Sequence, residues 1–133
     1  INVTLSGTSN LVGLPLSMLL LQRGATVTMC NINTKDVKEH TLKSDLIVTC
    51  CGSPHLVKED WVKEGVIIVD VGINKIEDKS KKNGYRLVGD VDFKNVEDKC
   101  KYITPVPGGV GPMTVISLMK NVIQLTENTF LEV

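Results

Sequence analysis

No excess of either charge marks this 133-residue chain: 15 Lys and Arg face 15 Asp and Glu, for a formal net of +0. A surface without a dominant sign offers no electrostatic footprint for nucleic acid and no basic patch for an anionic membrane, so neither partner is expected. A long apolar run is also missing. The longest, residues 11–21, contains Gly13, Pro15 and Ser17 and is too short to span a bilayer. No signal peptide is visible, and the chain opens on Ile1-Asn2-Val3-Thr4-Leu5, already a strand pattern, with no initiating Met. A fragment whose natural N-terminus lies upstream is expected. The four cysteines, Cys30, Cys50, Cys51 and Cys100, form no CxxC and no zinc spacing. They read as buried reduced thiols of an intracellular protein, cytoplasmic or mitochondrial. His40 and His55 have no paired nucleophile, and no Ser/His/Asp triad, metal cluster or P-loop lysine is present. They read as surface histidines.

What is present is an ordinary globular composition, 42% hydrophobic and 23% charged, of a length that suits one domain. Strand patterns at residues 3–6, 25–30, 46–50, 66–71 and 102–104 alternate with helix patterns at 11–22, 34–41, 93–99 and 114–126. A single helical turn is expected at 58–62, a charged excursion with an Asn83-Gly84 turn at 76–86, and a short strand at 87–91. The strands are apolar on both faces, the pattern of a parallel sheet covered on both sides. Right-handed crossovers then give an α/β, Rossmann-like, doubly wound three-layer domain over residues 1–133.

Gly7-Thr8-Ser9-Asn10-Leu11-Val12-Gly13 follows the first strand and opens the first helix, a variant of the dinucleotide fingerprint without its middle glycine. Gly7 permits the tight turn, Ser9 can offer a hydroxyl to phosphate, Gly13 lets helix and strand pack closely, and the helix start favours a pyrophosphate. The second strand ends at Cys30-Asn31-Ile32-Asn33, without the usual ribose carboxylate and without an Arg for a 2′-phosphate. Asn31 or Asn33 can hydrogen-bond the ribose instead, while Lys35 reads as a solvated lysine. Gly52-Ser53-Pro54 and Asp70-Val71-Gly72-Ile73-Asn74 also end buried strands, so these loops should converge at the carboxyl edge of the sheet. Asp70 reads as a buried capping carboxylate or a site residue, the structural role being favoured, and Asp90 and Asp92 read as helix N-caps.

The run Thr104-Pro105-Val106-Pro107-Gly108-Gly109-Val110-Gly111-Pro112-Met113-Thr114 packs three prolines and three glycines into a stiff loop between a strand and a helix. It resembles the C-terminal signature of methylenetetrahydrofolate dehydrogenase/cyclohydrolase. Four further blocks carry the resemblance in the same order: residues 7–15, 25–28, 69–74 and 87–93.

The resemblance implies the cofactor domain of a bifunctional folate enzyme. Such enzymes oxidise 5,10-methylenetetrahydrofolate by hydride transfer to NADP or NAD and hydrolyse the methenyl product to 10-formyltetrahydrofolate. It implies cofactor contacts at Gly7, Thr8, Ser9, Val12, Gly13, Asn31, Ile32, Cys50, Gly52, Val71, Gly72, Ile73 and Thr114, with Pro107, Gly108 and Gly109 lining a folate cleft. The catalytic Tyr-x-x-x-Lys belongs to the family's other domain, so no catalytic residue is expected here and the fragment should be inactive alone. The family forms homodimers, with the segment around residues 76–91 near the contact. Many members carry Arg where Thr8 stands, and others a polar or basic residue where Ile32 stands. Losing a charged partner to the 2′-phosphate costs about 1.5–3 kcal/mol, which favours NAD or mixed use over NADP. The alternatives are a degenerate domain with a structural or dimerising role, or another two-domain Rossmann dehydrogenase such as a shikimate dehydrogenase relative.

Overall fold

The computed structural model describes residues 1–130; the last three residues of the expected 1–133 domain lie outside the described residues. Five parallel strands form the central sheet: β1 (Asn2–Ser6), β2 (Thr26–Cys30), β3 (Leu46–Thr49), β4 (Val66–Asp70) and β7 (Cys100–Ile103), in the spatial order β2-β1-β3-β4-β7. The chain leaves β1 in one direction for β2 and returns on the other side as β3, so the order reverses between β1 and β3. That switch point is where open α/β sheets bind ligands, outside the carboxyl ends of the strands.

Helix α1 (Gly13–Gln22) connects β1 to β2. Pro15 is its third residue, where no intrahelical N–H is needed. Just past its C-cap Arg23, Gly24 takes φ +79, the left-handed conformation that ends helices. Helix α2 (Val37–Leu42) is shorter than the expected 34–41 and starts later. Thr34 and Asn31 are spent on a turn, in which Asn31 N–H donates to Thr34 Oγ1 at 3.0 Å and Asn33 N–H to Asn31 Oδ1 at 2.9 Å. Asp36 then caps the helix by accepting from Glu39 N–H at 3.1 Å. A 3-10 turn, Glu59–Trp61, precedes β4, and helix α3 (Phe93–Val96) with a second turn, Glu97–Lys99, precedes β7.

The charged segment is a β-ribbon rather than an irregular excursion. β5 (Asn74–Glu77) pairs antiparallel with β6 (Tyr85–Val88), Asn74 opposite Val88 and Glu77 opposite Tyr85. The expected strand at 87–91 therefore begins two residues early and ends at Val88. The residues beyond it turn inward, with Val91 in a parallel bridge to Val57.

The two faces of the main sheet differ. On one face, Ile47, Val57, Val62, Val66, Ile68, Val91 and Val96 form a closed cluster with Trp61, Cys100 and Ile103 packed against it. On the other, α1 sits over Val3, Leu5, Ala25 and Val48. Across that face one register row runs Val27, Val3, Leu46, Ile67, Tyr102. Burial is complete at Val3, partial at Leu46 and Ile67, and gone at Tyr102, which is 65% exposed. Helix α4 (Val110–Phe130) starts four residues before the expected 114, because Pro112 sits in its first turn where proline is tolerated. It has no buried residue, and Ile116, Leu118, Met119, Val122 and Ile123 are all exposed.

Candidate cofactor site

The first loop is built around two glycines. Gly7, at φ +123, donates its N–H to Cys30 O at 2.9 Å, and a Cβ there would lie 2.5 Å from Cys50 O. A Cβ on Gly13 would in turn collide with Gly7 O. Only glycine lets β1, β3 and the start of α1 approach this closely. Ser9 braces the turn: its Oγ accepts from Val12 N–H at 3.3 Å and its carbonyl from Leu14 N–H at 3.0 Å. The first turn of α1 has no acidic residue and no side-chain cap, which leaves its positive end uncompensated.

Two clefts open along the carboxyl edge. The first, about 510 Å³, lies over the ends of β1, β2 and β3 and is lined by Gly7, Thr8, Ser9, Asn31, Ile32 and Cys50, with Ser6, Cys30, Thr34, Val37, Cys51, Ser53 and Leu56. The second, about 340 Å³, lies over β4 and is lined by Val71, Gly72, Ile73, Pro107, Gly108, Gly109 and Thr114, with Asp70, Leu87, Pro105, Val106, Val110, Gly111 and Pro112. Five strands at roughly 4.8 Å spacing give the edge a length of about 19 Å, enough for two ring systems joined by a linker.

Thirteen of the sixteen sequence-expected site residues thus gather in two adjacent clefts. Val12, Gly13 and Gly52 line neither. Gly13 is a packing residue, and Gly52 is turned inward, its N–H donating to Asp90 Oδ2 at 3.1 Å. Asn31 lines the first cleft and Asn33 does not. Ile32 is 98% exposed at the mouth and brings no charge. Thr114 lies in the second turn of α4 rather than at its start.

Asp90 is the residue that sequence reasoning misplaced. It is 0% exposed and caps no helix. Its Oδ2 accepts from Cys51 N–H at 2.9 Å and Gly52 N–H at 3.1 Å, and its Oδ1 from Ser53 N–H at 3.0 Å and Asn74 Nδ2 at 2.9 Å. Asp92 stands at the N-cap of α3 but accepts from Asn95 Nδ2 and makes no side-chain cap bond. Asp70 is structural, as expected: it accepts from Thr49 Oγ1, Gly72 N–H and Asp90 N–H through Oδ1 and from Val91 N–H through Oδ2, at 2.9–3.1 Å. Burial pushes the Asp70 carboxyl up from its usual range, against these hydrogen bonds. A legible signal was the pair Gly72 and Gly89, each beside a strand end. A Cβ on Gly72 would strike the Asp90 carboxyl, and one on Gly89 the Asp70 carboxyl.

The thiols depart from the expectation of uniform burial. Cys30 is buried, Cys50 and Cys100 are half-buried, and Cys51 is exposed. The Cys51 sulfur nevertheless lies 3.2 Å from Asp90 Oδ2 and donates to it. Burial first and the Asp90 carboxylate second push the Cys51 thiol up to about 11. Burial raises Cys50 as well. His55, at φ 54, lies with Nδ1 3.7 Å from Asp92 Oδ1, outside both clefts. Among the described residues no cluster of three His, Cys, Asp or Glu could hold a metal ion, and no helix is long and apolar enough to cross a membrane.

Comparison with known proteins decides the family. Residues 1–130 match the model of the tetrahydrofolate dehydrogenase/cyclohydrolase NAD(P)-binding domain. The chain belongs to that family. It is 60% identical over 119 residues to the bifunctional protein FolD of Protochlamydia amoebophila, covering 86% of this chain and 41% of that protein. It is 49% identical over 131 residues to the mitochondrial C-1-tetrahydrofolate synthase of Saccharomyces cerevisiae, covering 98% of this chain and 13% of that protein. It superposes on the Trypanosoma brucei methylenetetrahydrofolate dehydrogenase-cyclohydrolase, solved with NADP and an inhibitor, with a TM-score of 0.91 and 42% identity, over 96% of this chain and 44% of that one. The chain therefore spans less than half the length of these relatives. Membership in this dehydrogenase/cyclohydrolase family sets aside a shikimate dehydrogenase-like reading.

Proposed function

We propose that this chain is the cofactor half of a bifunctional folate enzyme that oxidises 5,10-methylenetetrahydrofolate and hydrolyses 5,10-methenyltetrahydrofolate to 10-formyltetrahydrofolate. The observation that carries the reading is the pair of adjacent clefts at the carboxyl edge, which together collect nearly all the residues expected to touch cofactor and folate. In this reading the first cleft takes the adenosine and phosphates at Gly7, Thr8, Ser9, Asn31, Ile32 and Cys50. The second takes the nicotinamide against Val71, Gly72, Ile73 and Thr114, with the folate beside Pro107, Gly108 and Gly109. Bound there, the nicotinamide supplies the hydride acceptor. The chain's own contribution is to fix the ring, keep water out and present backbone N–H groups to the phosphates. The absence of a side chain at Gly7 brings the Cys50 loop against the turn and so sets the floor of the first cleft.

Cofactor choice follows from Thr8 and Ile32. Neither brings a charge to a 2′-phosphate, and among the described residues no Arg or Lys lines the first cleft. NAD, or mixed NAD and NADP use, is the proposed outcome. The test is to titrate the chain with NAD and with NADP by calorimetry, because Trp61 lines neither cleft and is a poor fluorescent reporter. NAD binding at least as tightly as NADP supports the reading. NADP preferred by more than about tenfold, a difference of about 1.4 kcal/mol, overturns the cofactor choice. Failure to bind either one overturns the cofactor site and favours the degenerate, structural alternative.

The partners proposed are folate, a further domain that completes the folate cleft, and a second copy of the chain. The exposed apolar residues of α4 support a covering domain, and the relatives' greater length leaves room for one. The β5–β6 ribbon supports the dimer, since its strands pair with each other and not with the main sheet. A cytoplasmic or mitochondrial compartment suits four free cysteines and the yeast relative's name.

A further inference from the structure

We propose that Asp70 and Asp90 are positioning residues which lock the two clefts into one preformed cofactor seat. The inference rests on the reading that these clefts hold a nicotinamide dinucleotide.

Both side chains are buried, and among the described residues neither carboxylate has a Lys, Arg or His partner. An isolated buried anion is costly, so each persists only because converging donors replace water. The donors come from the walls of the clefts. Asp90 collects the consecutive amides of Cys51, Gly52 and Ser53 from the first cleft's rim, and Asn74 from the root of the ribbon. Asp70 collects the amide of Gly72 from the second cleft and those of Asp90 and Val91 from the chain leaving the ribbon. The two carboxylates are joined in series: Asp70 Oδ1 accepts from the backbone N–H of Asp90, whose side chain then holds the other cleft. Three segments from separate parts of the sequence, residues 49–53, 70–74 and 90–91, are fixed by eight oxygen-directed N–H and O–H bonds centred on two residues. The glycines at 72 and 89 exist to admit those carboxyls.

A ligand spanning both clefts loses less freedom on binding when the walls are ordered beforehand. The two residues also divide the task. Asp90 holds the wall of the adenosine side, whereas Asp70 holds Gly72 on the nicotinamide side.

The test compares wild type, Asp90→Asn and Asp70→Asn for binding of NAD and of ADP-ribose, which lacks the nicotinamide, at a temperature well below each melting point. Asp90→Asn should weaken both ligands by about tenfold, the scale expected for a lost charged hydrogen-bond acceptor. Asp70→Asn should weaken NAD by about tenfold and ADP-ribose by less than about threefold. A merely structural role would lower both affinities in step with melting temperature, and that result overturns the proposal, as does wild-type affinity in both folded variants. Should either variant fail to fold, amide hydrogen exchange on the wild-type chain decides. Protection of the Cys51, Gly52, Ser53, Gly72 and Val91 amides before any nucleotide is added supports a preformed seat, and free exchange overturns it. Wild type binding neither NAD nor NADP would overturn the cofactor reading itself, whereas wild type binding normally beside indifferent variants sinks only the positioning roles.

Discussion

One face of the sheet is finished and the other is not. On the face covered by α2 and α3, Ile47, Val57, Val66 and α3's own Val96 are all completely buried. Across the α1 face, burial fades from Val3 to Tyr102, and α4 lies with its apolar residues in solvent. The contrast is not one of composition, since both faces are rich in Val, Ile and Leu. The closed face is covered by short elements lying between strands in sequence, which return to the sheet whatever else is present. Among the described residues, the open face beyond α1 has no such element. Large exposed apolar patches mark interaction surfaces, and the second cleft includes the start of the exposed α4.

Substitutions can sharpen this comparison, starting with the largest effect. Ile47→Ala removes a fully buried side chain from the closed face and should cost about 2–5 kcal/mol in a denaturant melt. A loss under about 1 kcal/mol would mean that the cluster is loosely packed, since even Ile→Val in a tight core costs that much. Gly72→Ala drives a methyl group into the Asp90 carboxyl. It should destabilise by about 1–3 kcal/mol, the range for overpacking, and reduce nucleotide affinity. Unchanged stability would show that the seat can yield.

On the open side, Leu118→Ala and Val122→Ala should each change the stability of this chain by less than about 0.5 kcal/mol, as surface substitutions do. In a longer protein containing a covering domain, the same changes should cost as much as core truncations. Equal effects in both settings would remove the contrast between the faces.

The smallest effect concerns Cys51. Its alkylation rate, followed by mass spectrometry, should stay low at neutral pH and rise through a midpoint near 11 rather than 9, because the thiolate is the nucleophile. The linkage has a definite sign. The folded pKa is raised, so the folded chain keeps a proton that the unfolded chain loses, and stability falls as pH climbs from about 9 to about 11. A labelling midpoint near 9 would show that the thiol is neither shielded from water nor held against Asp90 in solution.

Much of this was legible in the residues. Apolar β-branched runs gave the five parallel strands, because a strand buried on both faces has no polar alternation to disguise it. The glycine loop after β1 and the proline–glycine run before α4 announced a site at the carboxyl edge. The ribbon was hidden, since Lys75, Glu77 and Arg86 carry no apolar face for a pattern to reveal. The start of α2 was hidden too, because Thr34 and Asn31 bond locally and delay it.

Asp90 is the instructive failure. An Asp just before a helix is usually a cap, and nothing local distinguishes it from one that is buried among amides drawn from residues nearly forty positions away. Sequence by itself determined the five strands of the main sheet, their parallel pairing, the family and the loops that meet at one edge, because these follow from local pattern and short connections. Tertiary structure alone decided which of those loops are tied together and by what. A buried carboxylate is satisfied only by donors converging in space, and their identity is a property of the packed chain.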